Sequence, residues 1–180
     1  MRLKCLQPKV ERAQAMKMFT GGLREVRLGR LRISTGLYVP YHLFQIEVQN
    51  GGNHSVHFLA IDAVTGELDP YSFDEPPRDD EFVELESTQV VPAALSEAET
   101  LARLEERIRR GVYLNGFFKV SDLRITGTLL MQFYLAYWVG FYVKKKRISI
   151  EVIDSARSQL EGAKVRDLVM AWFQEEAARR

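Results

Sequence analysis

The feature that most limits how this chain can fold is Leu129 to Val143, LLMQFYLAYWVGFYV, which carries no charge and holds one Gln, three Tyr, two Phe and one Trp. A run so apolar must be buried along its whole length. A strand covered on both faces shows such continuous hydrophobicity. Read at the two-residue period of a strand, Phe133, Leu135, Tyr137, Val139 and Phe141 share one face. Tyr134, Ala136, Trp138, Gly140 and Tyr142 share the other, where large rings alternate with small residues. That second face is shaped to receive another surface, either a helix or a partner. A weaker twin lies earlier, Leu37 to Val48, LYVPYHLFQIEV.

The length of the run raises a membrane question. Ile125 to Val143 is free of charge and Lys144-Lys145-Lys146-Arg147 follows it, the pattern of an inserted helix with flanking cations. The twin argues against insertion, since it contains Pro40, His42, Gln45 and Glu47. Thr126-Gly127-Thr128 reads as a break, and the rings and β-branched residues suit a strand.

Twin strands imply a duplicated unit. Leu31-Arg32-Ile33-Ser34 recurs as Leu123-Arg124-Ile125-Thr126, and Ile61-Asp62-Ala63 as Ile153-Asp154-Ser155, both 92 positions on. Tyr38-x-x-Tyr41 matches Tyr134-x-x-Tyr137 at an offset of 96. The changes of offset fall near Thr128 to Gln132 and at Lys144 to Arg147, where turns are expected and length varies freely. On this reading residues 23–64 and 115–156 superpose with one strand order.

Around these strands the chain reads in order. Gln7 to Phe19 is expected to be a helix with Pro8 in its first turn and Leu6, Val10, Ala13 and Met16 on one side, stopped by Thr20-Gly21-Gly22. Arg24 to Ile33 is expected to be a strand with imperfect alternation. Pro40 places the first aromatic strand at an edge or a bulge. Asn50-Gly51-Gly52-Asn53 is a turn, and Val56 to Ala63 pairs back. Asp69 to Glu86 is an acidic loop ending in a short strand near Phe82 to Leu85. Ser96-Glu97-Ala98-Glu99 is a capping box, and Leu101, Leu104, Ile108 and Val112 line the following helix to Gly111. Phe117 to Ile125 is expected to be a strand, the second copy's counterpart of the Arg-rich one. Ile148 to Asp154 alternates, with Ile148, Ile150 and Val152 inward and Ser149 and Glu151 outward. Val165, Leu168, Val169, Trp172 and Phe173 form one stripe of a C-terminal helix. That helix is expected to cover the Tyr134/Trp138/Tyr142 face, or else the face of Ile148 and Ile150, with Trp138 packing near Trp172, Phe173 or Leu168.

Charge and composition narrow the function classes. The net charge is +1, so nothing draws the whole molecule to nucleic acid or lipid. The charge is polarised: residues 1–35 hold nine Lys/Arg against two acids, and residues 67–106 hold thirteen acids against two Arg. Cys5 is the only cysteine, which excludes an internal disulfide and fits a reducing, cytoplasmic setting. It is expected in a mobile terminus without a base beside it, so it is not read as a nucleophile. The N-terminus has no apolar run of signal-peptide length.

No catalytic, metal or cofactor set emerges. His54 and His57 are an odd number of residues apart beside a strand and so point to opposite faces. Asp62 and Asp154 each end a strand, where a carboxylate accepts the N–H groups of the next turn, and this structural role is preferred to acid/base chemistry. No serine lies in a nucleophile elbow, and the Gly-Gly pairs lack a phosphate loop's lysine. Ile61 to Leu68, IDAVTGEL, resembles the hairpin of bacterial PepSY-type modules, in which an aspartate precedes a Thr-Gly turn. Ile153 to Ser158 is a reduced form of it, and the resemblance assigns no family.

The expected fold is therefore α+β. An internally duplicated unit of one helix plus an antiparallel three-stranded meander is joined by a C-terminal amphipathic helix packed on the sheet. Residues 1–68 are the first repeat, 69–95 an acidic linker carrying the short strand, and 96–180 the second repeat with its C-terminal helix, all in one compact domain. The function favoured is a non-enzymatic protein-interaction or assembly module, engaging a protein partner or a second copy. Tyr134, Trp138, Tyr142, Tyr38 and His42 are its candidate interaction face. An enzyme or ligand-binding protein with a site between the repeats is the alternative. A nucleic-acid backbone binder acting through the basic tip Lys144, Lys145, Lys146 and Arg147 is the third. Neither a membrane nor nucleic acid is the favoured partner, and no cofactor or metal is expected.

Overall fold

The computed structural model describes residues 1–20, 23–114 and 122–179. It is mixed α+β, with four helices and an eight-stranded sheet among the described residues. The elements are β1 (Arg2–Leu6), α1 (Arg12–Thr20), α2 (Arg24–Leu28), β2 (Arg30–Asn50), β3 (Asn53–Asp62), β4 (Tyr71–Phe73), β5 (Phe82–Glu86), α3 (Glu97–Leu114), β6 (Arg124–Lys144), β7 (Arg147–Asp154), β8 (Gln159–Leu160) and α4 (Ala163–Ala178). The strands hydrogen-bond in the order β4-β3-β2-β6-β1-β5, with β7 on β6 and β8 on β7. No helix among the described residues is long and apolar enough to cross a membrane.

Each aromatic run is part of one unbroken strand of 21 residues. Thr126-Gly127-Thr128 does not interrupt β6. Gly127 is there for close approach: a Cβ would lie 2.3 Å from Leu101 Cδ1 and 2.9 Å from Ile46 Cδ1. Pro40 is not on an edge strand, because β2 has β3 and β6 as neighbours. It stands just before the β3 ladder, which begins at Tyr41, so its missing N–H falls outside that ladder.

The chain forms two compact units. The first holds Met1–Val39, Glu81–Val91 and Tyr134–Arg180; the second holds Pro40–Asp80 and Pro92–Phe133.

In the first unit the N-terminus begins as a strand, not a helix. Leu3, Cys5 and Leu6 are buried, and β1 pairs antiparallel with β5 (Leu3 opposite Leu85) and parallel with β6 (Cys5 opposite Tyr134). Pro8 therefore lies in a connection, and α1 starts only at Arg12, burying Ala15 and Phe19. Ser155 O accepts the N–H groups of Lys9 (2.7 Å) and Val10 (3.2 Å), which fixes the approach to α1. The helix lies on the even-numbered face of β6. Val10, Ala15, Phe19, Tyr142 and Ile153 form the core there, with Met18, Leu28, Leu31 and Trp138 against it. Trp138 Nε1 donates to Val10 O (2.9 Å) and Tyr142 Oη to Phe19 O (2.8 Å).

Trp138 thus packs under α1, not under the C-terminal helix. Helix α4 buries Val165, Leu168 and Val169 and contacts β7. The Phe173 ring meets Phe141 edge-on at 4.9 Å between centroids, and Phe141 is opposite Ile150. Of the two faces offered to the helix, it takes the one bearing Ile150.

The expected strand Arg24 to Ile33 is helical over Arg24–Leu28, and β2 begins at Arg30. The imperfect alternation has a cause. Arg24 and Arg27, one helical turn apart, both reach Glu151: Nε to Oε2 is 3.0 Å and Nη2 to Oε1 is 3.1 Å. Glu151, expected outward on β7, is accordingly buried, while Ile148, expected inward, is 64% exposed. Gly29 turns the chain from α2 into β2 with φ +95°, and a Cβ there would lie 2.3 Å from Val143 O.

The second unit centres on Phe44, Ile46, Ile61, Leu104 and Ile125, with Leu59, Leu101, Ile108 and Leu129 packed around them. The capping box closes as read: Ser96 N–H donates to Glu99 Oε2 (2.8 Å) and Glu99 N–H to Ser96 Oγ (3.3 Å). These bonds hold the Glu99 carboxyl below its ordinary range. Helix α3 passes Gly111 and runs to Leu114. Strand β4, within the expected acidic loop, pairs with β3, and β5 falls where the short strand was expected. Gly21-Gly22 and most of the Phe117 to Ile125 stretch lie outside the described residues, and β6 begins at Arg124.

Candidate functional site

The two long hairpins differ at their tips. In the β2–β3 hairpin Asn50 faces Asn53 across Gly51-Gly52, with Gly51 at φ +58°. In the β6–β7 hairpin Lys144 faces Arg147 across Lys145-Lys146, and both central lysines have positive φ, +47° and +68°. A two-residue turn with both φ positive matches the right-handed twist of the strands and is normally filled by Asn and Gly. Each non-glycine residue in that region costs about 1–2 kcal/mol. The first hairpin avoids this with Gly51, whereas the second places lysines at both positions.

Lys144 is part of the fold. Its Nζ donates to the carbonyls of Val26 (2.5 Å) and Arg27 (3.3 Å), a cation against the C-terminal end of α2. Lys145, Lys146 and Arg147 are exposed, and no hydrogen bond or ion pair engages their side chains among the described residues. Between this turn and α2 runs an open groove of about 380 Å³ lined by Arg27, Leu28, Lys145, Arg147 and Ile148. Arg27 keeps its side chain 73% exposed while paired with Glu151. The expected basic tip is thus joined by Arg27, the cation of the neighbouring helix α2.

A second groove, of about 630 Å³, lies beside α3 and is lined by Arg103, Arg107 and Arg110 with Glu106. Its arginines are committed. Arg103 donates to Thr65 O, Arg107 to the carbonyls of Leu68 (2.5 Å) and Glu67 (3.0 Å), and Arg110 pairs with Glu106. Arg103 and Arg107 tie the loop after β3 to the helix, and Arg110 braces the helix itself.

The residues of the candidate interaction face are buried or half-buried. Tyr142 is fully buried, and Trp138 is half-buried under α1. Tyr134 and Tyr38 are half-buried, and burial raises both phenols above their ordinary pKa, with Cys5 contributing at Tyr38. His42 belongs to the second unit, 4% exposed, with Nδ1 2.9 Å from Thr100 Oγ1. Burial lowers its pKa against the opposing pull of Glu97. Cys5 sits in β1 rather than in a mobile terminus, and burial pushes its thiol up to about 12.

Asp62 and Asp154 are both fully buried turn-holders. Asp62 Oδ1 accepts from the N–H groups of Val64 (3.2 Å), Thr65 (2.6 Å) and Gly66 (3.0 Å), and Oδ2 from that of Leu68 (3.0 Å). Asp154 Oδ1 accepts from Ala156 (2.8 Å) and Arg157 (2.9 Å). His57 Nε2 is 2.9 Å from Ser55 Oγ and His54 is 3.6 Å from Glu47, so each histidine has its own surface partner. Among the described residues no group of three His, Cys, Asp or Glu is placed to hold a metal. Compared with family models, with curated proteins and with solved structures, the chain matches none.

Proposed function

We propose that this protein is a non-enzymatic binding module that engages an anionic partner through the end of the first unit formed by α2 and the β6–β7 turn. The observation that carries this reading is the Lys145-Lys146 turn. Two unengaged cations stand in a backbone region that disfavours them, where the sister hairpin uses glycine. Local strain kept at an exposed position points to function. Arg147 and Arg27 extend the cationic surface along the groove. The aromatic strand, by contrast, is spent on packing α1.

The test is binding of a labelled DNA duplex, used as a generic polyanion, followed by anisotropy across salt concentration. Lys145, Lys146 and Arg147 are changed to Gln, and Lys144 is left in place because it holds α2. The salt slope is expected to fall by about 2–3, near one for each cation removed. No measurable binding by the unaltered protein at low salt would end the proposal.

We also propose that the chain is internally duplicated, with each helix packed on the other copy's hairpin. Tyr41 lies opposite Asp62 as Tyr137 lies opposite Asp154. Pro40 O accepts Ala63 N–H as Ala136 O accepts Ser155 N–H. Ala63 O accepts the N–H groups of Ala94 and Leu95 ahead of α3, as Ser155 O accepts those of Lys9 and Val10 ahead of α1. Val90 bridges in parallel to Tyr38 as Cys5 does to Tyr134. These correspondences support a common ancestor for the α1/β6–β7 and α3/β2–β3 assemblies. Arg24–Leu28, which flanks the first of them, is helical, and the matching stretch of the second copy lies outside the described residues. Superposing the two assemblies tests the idea: a different strand order or helix polarity would refute it.

A further inference from the structure

We infer that the anionic partner is the headgroup surface of a lipid bilayer, on which this end of the first unit docks with aliphatic side chains inserted between the headgroups. The inference rests on the proposed function and adds one observation to it. The same elements that present the cations also present large aliphatic residues to solvent: Leu23 is 82% exposed, Val26 70% and Ile148 64%. Leu23 lies in the turn just before α2, and Val26 within that helix. Ile148 directly follows the cationic turn and lines the groove between it and α2. Large aliphatics standing this far out among cations gain nothing from a polyanion in water. At a bilayer the two features act together, with cations drawn to acidic headgroups and apolar side chains entering the acyl boundary.

Charge complementarity selects the surface. Lys145, Lys146 and Arg147 make no ion pair among the described residues, while the buried Glu151 is already matched by Arg24 and Arg27. The bilayer must therefore be anionic. Single-stranded nucleic acid is disfavoured because its binding uses aromatic platforms for base stacking. The large hydrophobic residues exposed on α2 and at the start of β7 are Val26 and Ile148, and neither carries a ring.

The experiment is co-sedimentation of the full chain with vesicles of phosphatidylcholine alone or with about a third phosphatidylserine, beside the duplex-DNA assay. Three proteins are compared: unaltered, K145Q/K146Q/R147Q, and V26Q/I148T, whose substitutions fall at exposed positions. Unchanged melting temperatures confirm that both variants fold. The unaltered protein is expected to bind only the phosphatidylserine vesicles. The charge variant should lose about a hundredfold in partitioning, near fivefold for each cation. V26Q/I148T should lose about tenfold on vesicles and bind DNA as before. If vesicle binding is absent, or is indifferent to V26Q/I148T, while DNA binding still depends on the three cations, the lipid inference falls and the anionic-partner reading stands. If neither vesicles nor DNA bind at low salt, both fall.

Discussion

Replacing Asp62 by Ala should be among the most damaging single changes in the second unit, and its size follows from the donors it leaves behind. The carboxylate receives the N–H groups of Val64, Thr65, Gly66 and Leu68 and the Thr65 hydroxyl. The bonds to Gly66 and Leu68 are buried, and water cannot replace them without opening the loop. A buried donor left without a partner costs about 1–3 kcal/mol, so these two alone give about 2–6 kcal/mol. The three half-buried donors recover part of their loss from solvent, which places the expected effect at about 3–5 kcal/mol. Loosening the loop also releases the carbonyls of Glu67 and Leu68 that Arg107 holds, so α3 should lose protection with it. Asp62→Asn keeps an Oδ1 acceptor for Val64, Thr65 and Gly66 but presents an amide to Leu68 N–H, and should cost about half as much. Urea denaturation measures both, and amide exchange over residues 97–114 reads the helix. A loss below about 1 kcal/mol for Asp62→Ala, under the cost of even one orphaned buried donor, would refute the reasoning.

Trp138→Ala should cost about 3 kcal/mol, the lower end for deleting a core ring because this one is half-buried, and should free α1; unchanged amide exchange in α1 would contradict its packing there. Glu151→Gln removes the carboxylate held by Arg24 and Arg27, and should cost about 1–3 kcal/mol, discounted because Arg27 is largely exposed. Its thermal melt should fall, with α2 the first segment to exchange. Because burial depresses the His42 pKa below its ordinary 6.5, the unfolded chain binds more protons as pH falls below that value. The stability linked to His42 is therefore fully present above about pH 6.5 and declines below it, by at most about 1.4 kcal/mol per pH unit. His42→Gln should flatten that slope below about pH 6.5, and an unaltered slope would assign it to other groups.

What the sequence made legible was whatever a local pattern determines. The capping box at Ser96, the stripe of α4, the Asn-Gly-Gly-Asn turn and the carboxylates at Asp62 and Asp154 are decided by neighbours within a few residues, and each appears where expected. The misreadings share a different cause, which is contact with distant chain. Leu6 and Val10 were joined into one helical stripe, yet Leu6 belongs to a strand because β5 and β6 lie on either side of β1. Arg24 and Arg27 broke the alternation of an expected strand because both answer to Glu151, more than a hundred residues on. Gly127 reads as a break by composition but serves Leu101 and Ile46, which no local window contains.

The same distinction governs the candidate site. Alternating rings and small residues on β6 were legible as a face that must be covered, and the alternation does serve close packing: Phe19 lies over Gly140, where a Cβ would stand 3.0 Å from its ring. Periodicity fixes that a face is buried but not by what, since α1, α4 and a partner protein all satisfy the same pattern. The basic tip was legible as a charge run, but a charge run does not separate a solvated turn from a binding surface. Two facts of conformation motivate the proposed surface. One is the positive φ of Lys145 and Lys146, which shows that the turn departs from its ordinary residues. The other is the use of Lys144 against α2, which brings Arg27 and Val26 beside the turn. A two-residue turn written Lys-Lys rather than Asn-Gly, between strands whose register is fixed on both sides, was the available signal. It becomes readable once the facing pair Lys144 and Arg147 is known to close the ladder, because the turn then has no other length in which to relax.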